Sequence, residues 1–182
     1  SSVERVLEAV KELAKKLAED IRRSLEHIRR LLEEVEKKHR DSKEHVRKLL
    51  KDLRDIAREK GAGEELVRDA DRLAEEIKKY HDENVDRIRR AVEELAEAHK
   101  RLLEEAEKLV RTIEDRLRKV GSDDKELKKI LDELRKLIRK VLEALRELNK
   151  RAKEILDRVA ENVKEVNERL ERLVRRIAEE IR

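Results

Sequence analysis

The sequence predicts an all-α protein, an antiparallel up-down-up bundle of three long, nearly straight helices. An apolar stripe with a period of 3.6 residues runs from end to end, and helix-breaking residues occur at two places that cut the 182 residues into near-equal thirds. The chain has no Pro and is rich in Ala, Leu, Glu, Lys and Arg, the vocabulary of long helices. Charged residues make up 53% of it, a share that in a chain lacking such a stripe would mean disorder.

The first helix is placed at about residues 2–60. Its stripe runs Val3, Leu7, Val10, Ala14, Leu17, Ile21, Leu25, Ile28, Leu32, Val35, His39, Ser42, Val46, Leu50, Leu53 and Ala57, which is 15 steps over 54 residues. That is the repeat of a straight α-helix; a strict heptad coiled coil would need 3.5. Ser1 with Glu4 fits a capping box at its start.

A loop at 61–63 follows. Gly61 can take the left-handed conformation that ends a helix, after basic Arg58 and Lys60 and before acidic Glu64 and Glu65, as the helix dipole favours. The second helix is placed at about 64–120, with its stripe from Leu66 to Val120. Gly121 and Ser122 form the second loop, with Ser122 or Asp123 as cap and Asp123 with Glu126 as a capping box. The third helix is placed at about 123–181, with its stripe from Leu127 to Ile181. Short loops make neighbours antiparallel, so one domain spans 1–182 and the first and third helices run parallel.

The uncharged polar residues concentrate in the stripes. Ser24, His39 and Ser42 lie within the first, His81, Asn84 and His99 within the second, and Asn149 and Asn167 within the third, while His27, His45, Tyr80 and Asn162 sit at stripe edges. Ser24 to Ser42, His27 to His45, His81 to His99 and Asn149 to Asn167 are each 18 residues apart, five whole turns, so each pair shares a face. Folding at the two loops sets position i of the first helix against about 124 − i in the second and about 120 + i in the third. Ser24, His27, His99 and Asn149 then converge in one layer, and Ser42, His45, His81 and Asn167 in another. His39, Asn84, Asn162 and Tyr80 form a further cluster beside the second layer.

Imidazole, carboxamide and hydroxyl groups can satisfy one another across three helices, and burying any of them unpaired costs about 1 to 3 kcal/mol. The two sets read as hydrogen-bond networks that specify register and helix pairing in an otherwise uniform aliphatic core.

Other chemistry finds little support. Without Cys there is no disulfide or thiolate site, and no His pair stands at the i,i+3 or i,i+4 spacing by which one helix presents two metal ligands. A Ser/His/Asn hydrolase would need oxyanion donors and a cleft, which a packed mid-helix site lacks. No apolar run reaches the length of a membrane span, and the first residues lack a signal peptide's apolar centre. The formal charge is only +4, with opposite signs interspersed and no aromatic platform for nucleic acid. The expectation is a soluble, catalytically inert monomer with no cofactor, metal, nucleic-acid or membrane partner.

Equal helices, minimal Gly loops, the absence of Pro and Cys and the duplicated buried sets resemble de novo designed helical bundles with modular hydrogen-bond networks. The resemblance covers the whole chain and implies a structural scaffold, with Ser24, Ser42, His27, His45, His81, His99, Asn149 and Asn167 as network members. Two alternatives stand beside it: a pH-responsive switch using buried His, and an assembly component whose helices self-associate or form hetero-oligomers when the loops are cut.

Overall fold

A computed structural model of the chain describes residues 2–61, 63–120 and 124–182. It is an all-α three-helix bundle in which every pair of helices is in contact, without strands among the described residues. The helices are α1 (Ser2–Lys60), α2 (Glu64–Val120) and α3 (Asp124–Ile181). The expected capping roles of Ser1, Ser122 and Asp123, and the turn at Gly121, lie outside the described residues.

The first loop has the expected glycine chemistry and one feature beyond it. Gly61 is left-handed (φ 61°), and its N–H donates to the Arg58 carbonyl at 3.3 Å, closing α1. Gly63 also has positive φ (86°), and its carbonyl accepts the first α2 bond, from Val67 N–H at 2.9 Å. A Cβ on Gly63 would stand 2.6 Å from Ile181 Cδ1, so a side chain here would have to displace the end of Ile181 as well as hold a left-handed backbone.

The chain divides into two compact units, and each helix contributes a segment to both. The first contains α1 through Arg29, α2 from Val92 and α3 through Lys153. Its core includes Ile21, Ile28, Leu117, Ile130 and Val141, each buried because the 3.6 period returns it to one face. Antiparallel α2 and α3 are joined at the surface by Lys140 to Glu105 (2.7 Å) and by Arg116, which bridges Glu126 and Glu133.

The second unit contains α1 from Arg30, α2 through Ala91 and α3 from Glu154. Val46, Leu50, Leu53, Ala70, Ala74, Ile77, Leu170, Val174 and Ile177 form its apolar cluster. Ion pairs Arg89 to Glu36, Lys43 to Asp82 and Arg54 to Asp71 step in opposite directions along α1 and α2, the signature of antiparallel neighbours. Ser42 meets Asn167, 125 residues later, and Ser24 meets Asn149 at the same separation in the other unit. Folding at the two loops alone predicts a separation of about 120. In both units the bonded Ser and Asn stand at this same offset, about five residues beyond what the loops alone imply.

Candidate functional site

The two polar layers fall one in each unit, and the first is a complete hydrogen-bonded chain. Mid-helix carbonyls are where it begins, because a polar side chain on the core face can reach back to the carbonyl one turn earlier. His99 Nδ1 lies 2.6 Å from the Leu95 carbonyl oxygen, which can only accept, so Nδ1 carries a proton. In the neutral ring Nε2 is then an acceptor, and Ser24 Oγ, 2.7 Å away, donates to it. Asn149 Nδ2 supplies the remaining hydrogens, one to Ser24 Oγ at 2.8 Å and one to the Leu145 carbonyl at 2.8 Å. The chain runs Asn149 to Ser24 to His99 to Leu95, with a single direction.

The second layer repeats the residues but not the wiring. Asn167 Nδ2 donates to Ser42 Oγ at 2.6 Å. The Ser42 hydroxyl has one proton and two acceptors within reach, Asn167 Oδ1 at 2.9 Å and His81 Nε2 at 3.3 Å. His81 Nδ1, unlike its counterpart in His99, has no hydrogen-bond partner. His81 is therefore free to carry its proton on either nitrogen.

His39 packs against it edge to face, with ring centroids 5.5 Å apart and an interplanar angle of 82°. His39 Nδ1 donates to the Val35 carbonyl at 2.8 Å, which leaves Nε2 bare and without a partner. Asn84 Nδ2 is also unpaired. His39, His81 and Asn84 are 2%, 1% and 6% exposed, so these are three unsatisfied nitrogens inside a core. Tyr80 completes the cluster through a tilted ring contact with His81, centroids 6.0 Å apart.

Burial pushes the His81 pKa below the ordinary histidine value, and charge on His39 pushes it the same way. The Asn167 side chain opposes the shift, Lys43 adds to it and Asp82 opposes it.

Three expected network members stand apart. His27 and His45 are exposed, and His45 Nε2 comes no closer than 4.0 Å to Glu171 on a side chain 48% open to solvent. The cause is angular. Ser24 is already about 60° around the helix from buried Ile21, and a further three residues bring His27 to about 120°, beyond the edge of the stripe. His45 repeats this relative to Ser42. Asn162 is half-buried and, among the described residues, makes no hydrogen bond.

The His39–His81 contact and the roles of the Leu95, Val35 and Leu145 carbonyls were not foreseen from sequence. A signal for the extra cluster exists in the 18-residue repeat. Stepping back one repeat from His39 gives Ile21, and stepping forward from Asn84 gives Leu102. The second layer is the first with two aliphatic residues replaced by polar ones.

Among the described residues, no three His, Cys, Asp or Glu gather as metal ligands, and no helix is long and apolar enough to cross a membrane. In comparisons with known proteins, the chain matches no family model, no curated protein and no solved structure.

Proposed function

We propose that the chain is a designed structural scaffold without catalytic activity, in which two buried Ser/His/Asn layers select helix pairing and register. The observation that carries this reading is the equal separation of 125 residues at which Ser24 meets Asn149 and Ser42 meets Asn167. An aliphatic core is nearly indifferent to a slide of one turn, whereas a displaced layer strands polar groups at about 1 to 3 kcal/mol each. Two layers therefore penalise every wrong register twice. The chemistry agrees: mid-helix N–H groups are already used, so neither layer has free backbone donors for an oxyanion.

The test replaces Ser24 and Ser42 with Ala and His81, His99, Asn149 and Asn167 with Leu. Circular dichroism should show retained helix and undiminished stability, because replacing whole networks by apolar groups is near neutral. Cysteine pairs placed to crosslink α1 and α3 either in native register or one turn away should then both react, whereas in the parent only the native pair reacts. Exclusive native crosslinking in the apolar variant would overturn the reading.

A further inference from the structure

We propose that His39 Nε2 and His81 Nδ1, joined by the Asn84 carboxamide, form a binding site for one late first-row divalent cation, with Zn²⁺ as its probe. Such ions take imidazole nitrogen at about 2.0–2.1 Å, and two imidazoles on one tetrahedral ion have ring centroids roughly 5 Å apart. The His39 and His81 centroids are 5.5 Å apart, within the adjustment of a side-chain rotation.

The wiring around each ring suits a ligand. His39 donates through Nδ1 to the Val35 carbonyl, the backbone contact that fixes a metal-binding histidine and leaves its other nitrogen as a lone pair. His81 reaches the same condition through Ser42. When the Ser42 proton lies toward Asn167 Oδ1, His81 Nε2–H donates to Ser42 Oγ and Nδ1 becomes a bare acceptor. The first layer lacks this freedom, because the Leu95 carbonyl holds the His99 proton on Nδ1. Asn84 sacrifices no hydrogen bond at Nδ2 by turning its carboxamide so that Oδ1 faces the ion. Two imidazoles and an amide oxygen leave the fourth tetrahedral position to water.

The site also accounts for an otherwise costly choice. Where the first unit buries Ile21 and Leu102, the second buries His39 and Asn84 with nitrogens unpaired. A cation would satisfy both imidazoles at once. A groove lined by Glu36, Asp82 and Asp86, alongside Arg40, Lys43 and Arg89, reaches His39 from one side.

The experiment titrates ZnCl₂ into the chelator-treated full chain by calorimetry, and follows ¹⁵N shifts of the histidine rings. One equivalent should bind, moving the signals of His39 Nε2 and His81 Nδ1. The variant His39→Ile with Asn84→Leu copies the first unit's residues, so it should keep its helical signal and lose affinity by at least about a hundredfold. The variant His27→Ala with His45→Ala should bind as the parent does. Absence of one-equivalent binding, undiminished affinity in the first variant, or ring shifts at His27 or His45 instead, the mark of an adventitious ion only, would each overturn the proposal. The ring shifts in the parent decide the matter even should the first variant misfold.

Discussion

Asn149 Nδ2 divides its two hydrogens between Ser24 Oγ and the Leu145 carbonyl, both at 2.8 Å. One carboxamide thus ties α3 to α1 and to its own preceding turn, and its orientation agrees with the direction that the Leu95 carbonyl imposes on the layer through His99.

That direction can be tested by substitution. Asn149→Ala removes two donated hydrogen bonds from a part-buried site and should cost about 1 to 2 kcal/mol. Asn149→Asp should cost more, because in place of the donor it presents a carboxylate oxygen to the Leu145 carbonyl oxygen. Urea denaturation of the two variants near neutral pH checks the order; equal losses would mean that the donor's identity does not matter.

Acid should weaken the second layer. The folded-state pKa of His81 lies below the ordinary value, so its neutral form is favoured by folding. Its contribution is complete above about pH 6.5 and is lost as pH falls from there through the depressed folded pKa, at up to about 1.4 kcal/mol per pH unit for one proton. Denaturation midpoints at about pH 7.5 and pH 5.5, a range above most carboxylate titration, should fall in the parent and fall less in His81→Gln. Equal midpoints in the parent would remove the acid response.

The loop glycines should differ in sensitivity. Gly61→Ala meets nothing within 4 Å, so only its left-handed conformation is penalised, at about 1 kcal/mol. Gly63→Ala adds a 2.6 Å approach to the Ile181 side chain and should destabilise further. Thermal unfolding of both variants checks the ranking, and relief of the Gly63→Ala loss by Ile181→Ala would assign the difference to that contact.

The helices, their order and the first loop were legible in the residues themselves, because period, glycine and charge at helix ends act over a few neighbours. The stripe likewise identified Ser24, Ser42, His81, His99, Asn149 and Asn167, and only angular drift beyond its edge separated His27 and His45 from them. Local rules could not supply the offset of α3, which depends on how side chains from separate helices interlock. Nor could they show that His99 would find a carbonyl at Nδ1 while His81 would not, since identical residues one repeat apart acquire different wiring from their neighbours. Sequence alone determined which groups would be placed in the core, because burial follows from helical period. The tertiary structure decided which of them are satisfied, because a hydrogen bond depends on distances of a few tenths of an ångström between atoms far apart in the chain.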